Sequence, residues 1–315
     1  MSIDAVFDTI TIALVFTILG YGVFLSFKIL NITDLTVEAS FALGAAITGM
    51  VCNYQISGFS NSFITPILAL VFSFIGGSIA GVITAILHTK LKINSVLSGI
   101  LTLTAFYTIN LLVIKKDSRV YSSIGLSSGR GVTIFSGIEG NYLITLIMLL
   151  IVVIVGILIY LFFKTKFGLS IRACGDNEDM VKAQGISIDS LKIVGLALSN
   201  GIVALSGSLF VMVQHSYSTG IEKGMMVVGV ATIIIGEIIV RHSHKLSIML
   251  IGIAFGSIIY RFIYAFALRI SFIDTTYLHL ITAGLIVLIM ALSNYFSKIS
   301  KNKKIKNSLN EVSYD

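Results

Sequence analysis

Proline is almost missing from this chain: Pro66 is the only one in 315 residues. Helices interrupted without proline have to be interrupted at Gly, Ser, Thr or Asn, so those residues mark where breaks fall. Cysteine is scarce too. Cys52 and Cys174 lie in separate regions without metal-type spacing, which excludes a disulfide framework and reads as two free thiols. Charge is the third shortage: 12% of residues are charged and 56% are hydrophobic, against about 25% charged in soluble domains. That balance excludes a soluble globular protein and fits a polytopic membrane protein.

Enzyme signatures are also missing. The sequence has no GxxxxGK[ST] phosphate loop, no GxSxG nucleophile turn and no HExxH pair. No catalytic residue is assigned, no metal site is expected, and the chain cannot hydrolyse ATP by the usual phosphate-loop route. His242 and His244 in RHSHK are too few for a metal site and read as a solvated turn. No basic, aromatic-interleaved patch suggests nucleic acid as a partner. The net charge of +7 reads as basic residues at membrane borders, beside lipid. The start, MSIDAVFD, lacks the basic n-region of a cleaved signal peptide, so the first apolar run is expected to stay as a span.

What is present is a succession of apolar runs. The expected fold class is all-α, a polytopic membrane helical bundle of about nine spans (eight to ten). They fall near 5–27, 34–52, 64–87, 93–114, 142–163, 191–213, 224–240, 246–268 and 277–296, the second and seventh being short or polar-interrupted. Residues 1–296 form one transmembrane domain, and 297–315 a polar tail. Placing the polar loop 164–190 inside puts fifteen of the 22 Lys and Arg inside, six outside and Arg261 within a span. The asymmetry predicts an outside N-terminus and a cytoplasmic C-terminus. Arg261 has the reach to snorkel outward, and Glu237 can pair with Arg241 four residues on. LSG recurs at Leu97–Gly99 and Leu205–Gly207, a weak sign of internal duplication.

Four stretches could carry chemistry. In Asn31–Ser40, NITDLTVEAS, Asp34 and Glu38 are four apart and would share a helical face. Acids within a span cost roughly 2.5–3.5 kcal/mol each and tend to face a cavity or a partner. Thr33 and Asp34 are good N-caps. The expectation is a broken helix: the first span ends, the chain unwinds at Asn31–Thr33, and a half-helix containing Thr36 begins near Asp34. In Ser98–Asn110, the side chains of Thr102, Thr104, Thr108 and Asn110 bond their own backbone or line a path. Asn200, Ser206, Gln214 and Ser216 lie on or near the sixth span, where Gly201, Ala204, Gly207 and Ser208 permit close helix approach. Candidate pathway residues are thus Asp34, Thr36, Glu38, Thr104, Asn110 and Asn200.

The fourth stretch is the loop Lys164–Ser190. Asp176 or Asn177 can cap a short helix, Glu178 and Asp179 suit its first turn, and Gly185 can end it in a left-handed conformation. Met180, Val181 and Ala183 supply a small apolar surface. Two turns of helix are not stable alone in water, so this one needs a dock on its own protein or on a partner.

These stretches resemble the permease subunits of ATP-binding-cassette importers, in the branched-chain amino acid and ribose permease superfamily. The match lies in DLTVEASFALGAA (34–46), SGILTLTAFYTINL (98–111), FGLSIRACGDNEDMVKAQGI (167–186) with LALSNGIVALSGSL (196–209), and GSIIYRFIYAFALR (256–269), within about residues 10–295. The first and last look like the branch paired with lipoprotein-type binding proteins, several of which handle aromatic amino acids. The resemblance implies a cytoplasmic coupling helix in Asp176–Gly185 docking on an ATPase subunit, with ATP and Mg bound there and no cofactor on this chain. It implies two permease chains, two ATPases and an external binding lipoprotein in a bacterial cytoplasmic membrane. In the ribose-permease relatives, the segment matching Ile32–Val37 breaks a helix beside the pathway. Those relatives often have ten spans, and one fewer at the N-terminus gives nine. KKDSR at Lys115–Arg119 departs from the family pattern and leaves the binding protein's docking surface open. Two other readings compete: a cation-coupled secondary transporter using Asp34 and Glu38, and a membrane scaffold whose loop recruits a cytosolic protein.

Overall fold

The computed structural model describes residues 3–54, 64–114, 123–125, 133–135, 140–218, 220–240 and 245–267, with isolated positions 284, 287 and 291. In chain order they form α1 (Ile3–Phe24) running into a π-helical turn (Leu25–Ile29), α2 (Thr36–Tyr54), α3 (Ile64–Thr89), α4 (Ser95–Ile114), β1 (Ser123–Gly125) and α5 (Asn141–Phe162). Then follow α6 (Lys166–Asp176), α7 (Glu178–Ala183), α8 (Ile188–Gln214), β2 (Ser216–Ser218), α9 (Met225–Ile239) and α10 (Leu246–Ala267). The two short strands pair antiparallel with Ile124 opposite Tyr217.

Among the described residues, six helices are long and apolar enough to cross a membrane: α1 with its π-turn, α3, α4, α5, α8 and α10. The chain is a polytopic helical membrane protein. The second and seventh predicted spans are the shorter apolar helices α2 and α9. The ninth predicted span apart from positions 284, 287 and 291, the 297–315 tail, the KKDSR segment, Arg241 and the His242/His244 turn lie outside the described residues.

Composition does not decide which helix is central. α1 and α3 have the same mean hydropathy, 2.2, yet α1 is 89% buried and α3 33%; α5, the most apolar at 3.2, is only 22% buried. A helix apolar on every face suits lipid as well as a core, so the position of small residues makes the choice. Gly44 of α2 abuts the Ala204 carbonyl, and Gly207 of α8 abuts that of Phe41. Gly77 and Gly81 of α3 abut the Asn200 and Leu196 carbonyls, and Gly22 of α1 meets Ser199 and Val203. No side chain fits at these contacts, and such close approach is what holds helices together in lipid. α8 is therefore clasped by α1, α2 and α3. Both LSG glycines abut α2 or the strand of chain leading into it: Gly99 at Leu35 and Gly207 at Phe41.

The contacts also fix direction. Ser40, Gly44 and Thr48 meet Asn200, Ala204 and Ser208 in turn, so α2 runs parallel to α8. Gly22 meets Ser199 whereas Ser206 bonds the Val15 carbonyl, so α1 runs antiparallel to it. Lys28, Lys90, Lys92, the α6–α7 segment and the start of α8 gather at one end, the lysine-rich end of the bundle.

Candidate translocation and coupling site

The interruption predicted at Asn31–Thr33 is present. The π-turn ends at Ile29, residues 30–35 leave the helix, and Asn31 takes a left-handed φ of 55°. Freed backbone donors are retained locally: Leu30 N–H donates to Leu25 at 3.0 Å and Ile32 N–H to Ser26 at 2.9 Å. Asp34 then closes α2, its Oδ1 accepting the Thr36 N–H at 2.8 Å. Its other oxygen accepts from Asn200 Nδ2 at 2.6 Å, and Asn200 Oδ1 accepts from the Ser40 hydroxyl at 2.7 Å. Asp34, Thr36, Ser40 and Asn200 are all buried. Asn200 is twelve residues beyond Ile188, the first residue of α8, which places the cluster about 18 Å along that helix. The Asp34 end of the break is thus buried within the bundle, while its start lies at the lysine-rich end, where Asn31 is exposed and Ile29 meets α6.

A second chain of hydroxyls ties α2 to its neighbours. Thr36 and Thr84 share a hydrogen bond of 2.7 Å, and Thr84 donates to Thr102 at 2.9 Å. Higher on α2, Thr48 bonds Ser208 and Ser73. Asn110 reaches the Ala39 carbonyl at 3.5 Å, and its buried Oδ1 has no partner among the described residues. Thr104 is not brought to this cluster: it bonds the carbonyls of Ile100 and Leu101 in its own helix on an exposed face.

Glu38 and Asp34 do not share a face, contrary to their spacing, because Asp34 precedes the helix. Glu38 points to α9 instead. Its Oε1 accepts the Gly224 N–H at 3.0 Å, at the residue that opens α9 with a left-handed φ of 82°. Each carboxylate therefore closes the N-terminus of a short helix inside the bundle, where the helix dipole favours a negative charge. Nothing in this geometry supports a cation-coupling pair, and no group of three metal-ligating side chains occurs among the described residues.

The polar loop contains the expected short helix. Asn177, not Asp176, caps α7, its Oδ1 accepting the Met180 N–H at 3.0 Å; Asp176 ends α6. Gly185 has φ of 78° and closes the turn. Val181 is a correction to the expected apolar surface: it is 1% exposed and anchors α7 from beneath, while Met180 is 46% exposed and Ala183 also faces out. Glu178 pairs with Lys192 of α8 at 2.8 Å. Burial pushes the Cys174 thiol of α6 up from its ordinary pKa, and the Glu178 carboxylate adds to the shift.

Sequence reasoning missed Gly175. It abuts the Ile29 carbonyl so closely that no side chain can be placed there. α6 therefore bears directly on the last helical residue before the break. The available signal was a glycine inside an eleven-residue helix, where it costs about 1 kcal/mol relative to Ala and so suggests a close approach. Glu237 pairs with Lys28 of the π-turn at 2.5 Å, a partner that the Arg241 spacing did not suggest. Arg261 does not snorkel: its guanidinium lies 4.8 Å from the Tyr264 ring and 5.7 Å from the Phe16 ring.

Comparison with known proteins covers nearly the whole chain. A family model described as the permease component of branched-chain amino acid transport systems matches residues 5–293. A tyrosine transport system permease protein of Clostridioides difficile is 33% identical over 309 residues, covering 98% of each chain. A probable branched-chain amino acid transport permease protein of Methanocaldococcus jannaschii is 26% identical over 48% of this chain and 50% of its own. A nucleoside ABC transporter permease protein of Lactococcus lactis is 25% identical over 71% of this chain and 72% of its own. No solved structure matches.

Proposed function

The chain belongs to the family of branched-chain amino acid transport permease components, and from that premise we propose that it is the membrane subunit of an importer for an amino acid, with an aromatic one favoured. Members of this family are transport subunits rather than enzymes. Two copies work with two cytoplasmic ATPases, which carry ATP and Mg, and with an external binding lipoprotein. The lysine-rich end is cytoplasmic, the N-terminus outside and the C-terminus inside. The aromatic preference rests on full-length similarity to the tyrosine permease.

The observation that carries the mechanism is the contact between Gly175 and the Ile29 carbonyl. α7 presents Met180, Asp179 and Ala183 to the ATPase while Val181 holds it to α6 and α8. Movement of α7 reaches α6, and α6 presses on the residue before the unwound stretch. Asp34 and Asn200 tie that stretch to α8, and the hydroxyls of Thr36, Thr84 and Thr102 tie it to α3 and α4. Tilting the half-helix α2 then opens the path beside it, with Glu38 carrying the motion to α9.

Met180→Asp tests this reading, because it puts a charge into the docking face without touching the bundle. The variant permease and its ATPase, reconstituted in liposomes with the binding lipoprotein, should hydrolyse ATP without taking up labelled tyrosine, whereas the wild type does both. Wild-type uptake by that variant would remove the docking role of α7. Uptake that survives ATP depletion would remove the importer itself.

A further inference from the structure

At the lysine-rich end, a cavity of about 630 Å³ opens between the α3–α4 turn and the start of α8. Four lysines line it, Lys90, Lys92, Lys182 and Lys192, against two carboxylates, Glu178 and Asp189. The carboxylates are already engaged: Asp189 pairs with Lys90 at 3.1 Å and Glu178 with Lys192 at 2.8 Å. Lys92 and Lys182 have no carboxylate partner among the described residues. The cavity thus keeps two unpaired ammonium groups, one from the turn after α3 and one from α7, and suits an anion carrying one or two charges.

The surroundings say what carries that anion. α3 descends to this turn with Ile79, Ile83 and Ile86 exposed along one stripe, and Leu91 is 62% exposed between Lys90 and Lys92. α4 leaves the turn with Val96, Leu97 and Ile100 exposed. The cationic cavity therefore adjoins apolar surface that a free phosphate would not use and acyl chains would cover. We propose that it holds the headgroup of an anionic phospholipid of the surrounding membrane, bridging the α3–α4 turn to α7 through Lys92 and Lys182. Because Lys182 belongs to α7, the bound lipid steadies the helix that couples to the ATPase. Lipid binding itself does not depend on the transport reading.

The test uses the full chain in detergent micelles, with phosphatidylglycerol as the probe and native mass spectrometry counting bound lipid. Phosphatidylglycerol should be retained in preference to phosphatidylcholine. Lys92→Ala/Lys182→Ala should bind it on the order of thirtyfold more weakly, at about a kcal/mol for each lysine near an anionic lipid surface. Lys92→Arg/Lys182→Arg should restore binding, which separates lost charge from lost fold, and Lys164→Ala/Lys166→Ala should bind as wild type. Equal retention of the two lipids, or undiminished phosphatidylglycerol on the alanine variant, overturns the proposal. So does displacement by inorganic phosphate at matched concentration, which would make it a free-anion site. Full displacement by the bound ATPase would make the cavity a protein contact and overturn it as well.

Discussion

Gly175→Ala is the sharpest perturbation of the coupling route. A Cβ at Gly175 falls well inside van der Waals contact with the Ile29 carbonyl oxygen, with the Leu30 carbonyl carbon also near. These are backbone atoms and cannot swing aside, so α6 has to retreat by roughly an ångström; on a dispersion potential a gap of about 0.5–1 Å already forfeits a quarter to a half of each contact. Such overpacking costs about 1–3 kcal/mol, too little to unfold a bundle whose α8 is clasped elsewhere. The substitution should leave α7 able to bind the ATPase but loosen its grip on the break. Reconstituted Gly175→Ala should therefore keep ATP hydrolysis near the wild-type rate while uptake per ATP falls severalfold. Gly185→Ala is the matched control: its φ of 78° strains an L residue, but nothing lies within 4 Å of the added methyl. It should cost about 1–2 kcal/mol of local stability and leave the ratio of uptake to hydrolysis unchanged. An unaltered ratio in Gly175→Ala, or an equal fall in both variants, would refute transmission through the Gly175–Ile29 contact.

Three further outcomes follow from the same geometry. Asn200→Ala leaves the Asp34 carboxylate and the Ser40 hydroxyl without their shared partner, which should cost about 1–3 kcal/mol or more. The chain has no tryptophan, so its melting is best followed with a thiol-reactive fluorophore that reports exposure of buried Cys52 and Cys174, and an unchanged midpoint would contradict the network. Thr104→Ala should leave uptake at the wild-type level, because this hydroxyl bonds only its own helix on an exposed face; a substantial loss would return Thr104 to the pathway. Cys174, with its thiol pKa raised by burial and then by Glu178, should alkylate more slowly than free cysteine at neutral pH in a Cys52→Ala background. Its neutral form fits the folded state, so the associated stability is present at neutral pH and falls only as alkaline pH ionises the thiol. Rapid labelling of the folded protein would contradict its burial.

The class of molecule, most of its spans and the existence of two special segments are legible in residue order alone. Long apolar runs are read in one dimension because a bilayer demands a fixed length of helix, and helix ends are read locally because Asn177, Asp34 and Gly185 act on the backbone within three residues. Which partner each polar group takes was decided by tertiary structure. Asp34 and Glu38 looked like a pair and are directed to different helices, α8 and α9, because the chain leaves the helix before Asp34. Val181 and Met180 are adjacent, yet one anchors and the other faces out. α1 and α3 share a hydropathy and differ in burial, since in lipid an apolar surface carries no instruction about which side to bury. That instruction comes from glycines such as Gly44, Gly77, Gly175 and Gly207, whose role appears only when the opposing carbonyl is in place.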